Sequence, residues 1–136
     1  MIYIASPYTH PDPSIVLSRY DETQHYCAKL FQREHWAFSP VVHCHALAVE
    51  FKLPTDAEYW KEYNLHMLTR ADELHVLQLA GWRASQGVFN EVFFWKAIKH
   101  EATIKAIQPN SRNDLFYMAG DFLDLMRTNN DTRSDT

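Results

Sequence analysis

Three glycines, Gly81, Gly87 and Gly120, are the whole supply in 136 residues. Glycine is what lets a backbone turn into left-handed conformations and come close to a pyrophosphate. Neither G-x-G-x-x-G nor G-x-x-x-x-G-K-[ST] can be written anywhere in this chain, so the conventional dinucleotide-binding and P-loop readings are excluded. A phosphate bound here has to be held by a helix N-terminus, by side chains, or by both.

The apolar pattern supplies an architecture. A short apolar run at 2–5 stops at Ser6-Pro7 and predicts a buried strand opening into a loop over 6–13. Apolar and aromatic residues then recur at helical spacing from Ile15 to Phe31, which predicts a helix over 13–34. Trp36-Ala37-Phe38 before Ser39-Pro40 predicts a second strand, and 41–51 a loop with a short helix. Thr55 as cap with Glu58 three residues on forms a capping box, starting a helix that ends near Arg70. A strand over 73–79 breaks at Gly81-Trp82, a helix spans 85–100, and a strand over 103–107 ends before Pro109.

Strands alternating with helices of this length imply an α/β fold. Its expected form is a flavodoxin-like or Rossmann-like three-layer sandwich with a parallel sheet of four to five strands. Leu115, Phe116, Met118, Phe122, Leu123, Leu125 and Met126 suit a C-terminal amphipathic helix over 113–126, and 129–136 reads as a polar, frayed tail. A single domain over 1–128 accommodates the whole pattern.

A chain of this length buries roughly two thirds of its unfolded surface and needs no disulfide staples. No basic n-region or long apolar run opens it, so Cys27 and Cys44 are expected in a reducing cytoplasm, and no membrane span is expected. Lys and Arg total 13 against 17 Asp and Glu, with no basic cluster. That lacks the concentrated positive surface on which binding to a nucleic-acid polymer depends, and a small ligand is the expected partner.

Ligands of open parallel sheets collect outside the carboxyl ends of the strands, so the loops after each strand are where chemistry is sought. Ser85-Gln86-Gly87-Val88-Phe89-Asn90-Glu91 joins such a loop to a helix. Ser85 there offers a hydroxyl and free N–H groups to an anion, with Glu91 projecting near the same pocket; the plainer account is a capped helix with a surface Glu. Tyr8 sets an aromatic hydroxyl just after the first strand, either packed or catalytic. Asp72, before the third strand, can pair with Arg70 or take part in chemistry. His43-Cys44-His45 shows no zinc spacing. In an extended segment His43 and His45 would share one side, toward the pocket, so polar ligand contacts are expected and no metal or other cofactor. Trp36, Trp60 and Trp82 are either core residues or surfaces on which a base could stack.

Several of these segments resemble a known family. Ile4-Ala5-Ser6-Pro7-Tyr8, Phe38-Ser39-Pro40 with His43 and His45, Leu53-Pro54-Thr55-Asp56, Arg70-Ala71-Asp72-Glu73-Leu74, Gly81-Trp82 and Ser85-x-Gly87-x-x-x-Glu91 occur in an order and spacing similar to the nucleoside 2-deoxyribosyltransferase-like superfamily, over roughly 1–107. Within it the chain most resembles a small bacterial and phage group of uncharacterised function. The resemblance implies N-glycosidic bond cleavage or deoxyribosyl transfer on a deoxynucleoside or its 5′-monophosphate. It implies Glu91 as nucleophile, Tyr8 orienting its carboxylate, and Asp72 near sugar or base as a partner in proton transfer. Ser6, His10, His43, His45, Asp56, Gly81, Trp82, Ser85 and Gly87 are the implied substrate contacts, in a homodimer or higher oligomer whose subunits complete one another's pockets.

The implied chemistry is sound on its own terms. Departure of a base from C1′ passes through a cation-like sugar that a carboxylate can stabilise and then trap, as in retaining glycosidases. Family members that move sugars between free nucleosides carry an acidic residue six positions before the Glu, whereas the 5′-monophosphate N-hydrolases carry Ser, like Ser85 here. An Asp would repel a phosphate that a Ser at a helix start can receive. Those hydrolases also have a Gly- and Arg-bearing loop after the first strand, where this chain has Ser6-Pro7-Tyr8-Thr9-His10; the missing charge would fall to His10, Arg19 or Arg83. The alternatives are a non-catalytic nucleotide-binding or sensor module of the same fold, and an enzyme acting on another N-glycoside such as a nicotinamide nucleotide.

Overall fold

A computed structural model describes residues 1–99, 101–109 and 116–121, of which 101 and 116–121 by backbone alone. In chain order the elements are β1 (Ile2–Ala5), α1 (Pro13–Gln32), β2 (Ala37–Phe38), α2 (Pro40–Phe51), α3 (Ala57–Leu68), β3 (Glu73–Leu77), a 3-10 turn at Trp82–Ala84, α4 (Gln86–Ile98), a second 3-10 turn at Glu101–Thr103, β4 (Ile104–Pro109) and β5 (Phe116–Asp121). The sheet order is β2-β1-β3-β4-β5. The first four strands run parallel and β5 runs antiparallel to β4. This is the expected three-layer α/β sandwich, with an antiparallel edge added.

Alternation along β1 assigns the two faces. Ile4 joins Tyr26, Leu30, Leu77, Leu79 and Ile107 on the face covered by α1. Tyr3 and Ala5 point the other way, into a core with Leu68, Val88, Val92 and Trp95 from α3 and α4. Both faces are therefore apolar and both are covered, as a parallel sheet requires. Each fully buried aliphatic side chain of this kind stabilises the fold by about 1.5–3 kcal/mol.

Among the described residues, each of the four α-helices starts on a polar cap. Asp12 accepts from Ser14 N at 2.9 Å, Ser39 from Val42 N at 3.1 Å, and Ser85 from Val88 N at 3.2 Å. At α3 the cap is Asp56, accepting from Tyr59 N at 3.0 Å, rather than the expected Thr55. A carboxylate at N-cap both accepts the orphan N–H and opposes the positive end of the helix dipole, so the helix begins one residue later.

Two segments depart further from expectation. Residues 41–51 lie wholly within the twelve-residue α2, not a loop with a short helix. Its buried positions are Pro40, Val41, Cys44, His45 and Ala48, the last four forming an i, i+3, i+4, i+7 stripe. Residues 116–121 form β5 where a C-terminal helix was expected. Phe116-Tyr117-Met118 has strand-favouring composition, Gly120 disfavours a helix interior, and β4 would otherwise present an open edge. The remainder of that helix and the polar tail fall outside the described residues. Among the described residues no helix is long and apolar enough to cross a membrane.

The strand order fixes where a ligand can enter. From β1 the chain passes to β2 on one side, and β3 lies on the other. The connections thus diverge between the carboxyl ends of β1 and β3, the crevice where open α/β sheets bind ligands.

Candidate functional site

A cavity of about 280 Å³ opens at that crevice. Ser6, Tyr8 and Thr9 beyond β1 line it, with Arg19 from α1 and Cys44 and His45 from α2. The opposite wall is Ala57, Trp60 and Asn64 of α3, and Gly81, Ser85, Gly87 and Glu91 contribute the floor from the turn after β3 and the start of α4.

Glu91 is the central feature. Gly87 and Glu91 are four residues apart on α4, hence on one face of the helix. The Glu91 side chain is not on the surface: the residue is 6% exposed. Tyr3 Oη donates to Glu91 Oε2 at 2.5 Å. Burial pushes the carboxyl pKa up to about 8, with the Tyr3 hydrogen bond pulling the other way. Burial and the adjacent Glu91 likewise raise the Tyr3 phenol. At neutral pH burial therefore favours the protonated form of Glu91.

Tyr8 was expected to orient this carboxylate and does something else. Its hydroxyl lies 2.5 Å from His45 Nδ1, and His45 stacks on Tyr20 with ring centroids 4.0 Å apart. The chain has left the strand at Ser6, so Tyr8 reaches toward α2, whereas Tyr3 reaches Glu91 from inside β1. Sequence reasoning missed Tyr3, although a signal was present: a tyrosine within a buried strand needs a partner for its hydroxyl, and alternation puts it on the α4 side.

The expected position of Asp72 is also corrected. It precedes β3 at the amino end of the sheet, opposite the cavity, where its carboxylate pairs with the Met1 ammonium and is 81% exposed. The strand register puts Ile2 beside Glu73, so the chain start and Asp72 meet. His43 and His45, two apart on a helix, point in different directions rather than the same one. His45 lines the cavity, while His43 lies between Phe38 and Tyr63, stacked on the latter at 6.0 Å. His10 stays in the lead-in to α1, its Nδ1 accepting from Asp12 N. Trp82 is buried in the core beneath the Arg83 guanidinium, and Trp36 is 77% exposed; of the three tryptophans considered, Trp60 lines the cavity.

Ser6, Asp56, Gly81, Ser85 and Gly87 join Tyr8, His45 and Glu91 around the cavity. Gly81 has φ 88°, the left-handed conformation that favours glycine. At Gly87 a Cβ would meet nothing closer than 3.8 Å, so protein packing does not demand glycine there and the space above it belongs to the cavity. Among His10, Arg19 and Arg83, the candidates for a missing positive charge, Arg19 lines the cavity. It is 6% exposed and ties two loops together, donating from Nη1 to Thr9 O and from Nη2 to Ala80 O, each at 2.9 Å. Among the described residues no group of three or more His, Cys, Asp or Glu is placed to hold a metal ion.

A family model described as Domain of unknown function (DUF1937) matches residues 1–106. The match takes in every cavity-lining residue named above and ends within β4. No curated protein matches the chain.

Proposed function

The chain belongs to the family described as Domain of unknown function (DUF1937), and we propose that it cleaves the N-glycosidic bond of a deoxynucleoside or deoxynucleoside 5′-monophosphate through Glu91. The observation that carries this reading is the buried Glu91 carboxyl at a cavity, bonded to Tyr3 and raised to about 8. A carboxyl withdrawn from water without a cationic partner is costly as a structural element, and groups perturbed in this way concentrate at functional sites.

The chemistry that suits such a group is stabilisation of a cation formed beside it. As the C1′–N bond breaks, its electron pair leaves with the base and positive charge develops on the sugar. That charge returns the Glu91 pKa toward the ordinary carboxylate range. Tyr3 occupies Oε2, which leaves Oε1 to form the bond to C1′. Water or a second base then takes the sugar from Glu91, giving hydrolysis or transfer. Bond formation frees the proton that Glu91 holds, and the leaving base takes one up; with Asp72 at the far end of the sheet, the Tyr8–His45 pair, which also lines the cavity, relays it. Burial lowers the His45 pKa, so the imidazole is neutral and can pass a proton rather than hold a fixed charge.

A 5′-phosphate fits the start of α4. The Ser85 oxygen already accepts from Val88 N, so its own proton is available to an anion, together with the first N–H groups of the helix. Arg19 supplies the one positive side chain among the lining residues. Ser85→Asp keeps a good N-cap and adds a negative charge; it is expected to weaken monophosphate binding at least tenfold while leaving deoxynucleoside binding nearly unchanged, and equal effects on both would remove the phosphate from this position. A protonated Glu91 is also compatible with a second reading, a module that binds nucleotides without turning them over. Incubation with the deoxynucleosides and their 5′-monophosphates, followed by chromatography for free base, separates the two. Release of base supports the enzyme, and binding without release supports the module.

A further inference from the structure

On α3, Ala57, Trp60 and Asn64 sit at i, i+3 and i+7, one face of the helix, and all three line the cavity. The other members of the cavity wall that carry polar side chains are mostly spoken for by hydrogen bonds within the protein. Two polar atoms of the wall, Arg19 Nε and Asn64 Oδ1, are buried with no hydrogen-bond partner among the described residues; the Arg19 guanidinium is otherwise tied to backbone carbonyls through Nη1 and Nη2, and Asn64 Oδ1 is the acceptor of the two. A buried acceptor without a partner is rare in folded proteins, and in the wall of a cavity it marks a place that a ligand donor completes. One turn earlier, Trp60 Nε1 donates to Pro54 O at 2.8 Å, which fixes the indole ring at the cavity edge. Ala57 adjoins Gly87, so this face of α3 lies against the helix that carries Glu91.

A fixed aromatic ring and an amide acceptor on one helix face are the two parts of a subsite for a planar nitrogen heterocycle. Resting on the glycosidase reading above, we propose that Asn64 is the specificity-determining residue for the leaving base: its Oδ1 accepts an N–H from the hydrogen-bonding edge of the heterocycle that lies against Trp60. The ligand class is thereby restricted to N-glycosides whose base presents an N–H donor. A base without one leaves Oδ1 unpaired and binds more weakly.

Calorimetric titration of the Glu91→Gln protein, which spares the ligand from turnover, tests this with three matched pairs. They are 2′-deoxyadenosine against purine 2′-deoxyriboside, 2′-deoxycytidine against the 2-pyrimidinone deoxyriboside, and thymidine against N3-methylthymidine. In at least one pair the donor-bearing member is expected to bind about tenfold more tightly or better. Adding Asn64→Leu is expected to abolish that preference by weakening the donor-bearing member, and Asn64→Asp, which keeps an acceptor, to retain it. Trp60→Leu is expected to weaken both members alike. Should Asn64→Leu fail to fold by circular dichroism, Asn64→Ala takes its place. A preference unchanged by the Asn64 substitution, or no preference in any pair, overturns the proposal. Base release by the wild-type protein alongside an unchanged preference would overturn the Asn64 role and leave the glycosidase reading standing. An Asn64-dependent preference without base release would do the reverse, and no binding by any ligand would overturn both.

Discussion

At the scale of single residues, the Glu91–Tyr3 pair makes claims that need no substrate. The Glu91 pKa is about 8 in the folded protein against an ordinary value of 4.5. Between those two values the folded state binds a proton that the unfolded state has released, so stability falls as pH rises through that window. Each tenfold difference in proton affinity between the two states is worth about 1.4 kcal/mol, so the effect amounts to several kcal/mol. Thermal unfolding of the wild type is therefore expected to drop between pH 5 and pH 8 more steeply than that of Glu91→Gln; parallel curves would mean that Glu91 is not a buried acid. Because the Tyr3 hydrogen bond pulls the pKa down, Tyr3→Phe is expected to move the rising limb of kcat/KM against pH to higher pH, and a limb that stays in place would show that Tyr3 does not act on the carboxyl. Glu91 was legible in the sequence from its place after Ser85 and Gly87. Tyr3 was not, because a strand residue announces its face but not its partner on a helix far along the chain. Asp72 was misplaced for a related reason: sequence order put it beside a strand without saying which end of the sheet holds the cavity. Asp72→Asn is accordingly expected to leave kcat/KM within about twofold of wild type, and a loss of tenfold or more would return it to the site.

At the scale of elements, the helix starts carry most of the site. Ser85 caps α4 and so aims its first turn at the cavity, and the boundary of this helix could be read from Ser, Gly and the apolar residues that follow. The α2 segment could not be read as easily, since its mixture of His, Cys and apolar residues has weak contrast between faces. Its buried stripe at Val41, Cys44, His45 and Ala48 becomes evident only once α1 and the cavity are known to lie on that side. Mistaking it for an extended segment is what put His43 and His45 together. Gly87 offers a test at this scale. The site has room for a Cβ and lies in the first turn of α4, so Gly87→Ala is expected to leave the fold intact and stabilise it by up to about 1 kcal/mol. The same methyl group would stand in the cavity above Glu91, so affinity for the ligand is expected to fall by tenfold or more in a calorimetric titration. A variant that is more stable and binds equally well would show that the ligand does not approach the backbone at Gly87.

At the scale of the whole molecule, the alternation of strands and helices was enough to specify a parallel α/β sandwich, and right-handed crossovers leave few sheet orders, among which a flavodoxin-like one was expected. What the pattern could not specify was the edge, because apolar residues near 116–121 suit a helix face as well as a strand that pairs with β4. Scarce glycine, which excludes the phosphate loops, is consistent with a site built from helix starts and side chains. Two of the three glycines, Gly81 and Gly87, lie at the one cavity where the strand connections diverge. The fold thus brings an uncharged acid, a Tyr–His pair, an indole and an unpaired amide oxygen around a small volume, and in the proposed reaction the acid is the nucleophile that cleaves an N-glycosidic bond. The decisive experiment is the rate of free-base release from the best deoxynucleoside or monophosphate substrate, measured for wild type and Glu91→Gln under the same conditions. A fall of about a thousandfold or more is predicted for the variant, as expected when a nucleophile is removed; release at an unchanged rate would contradict a nucleophilic Glu91.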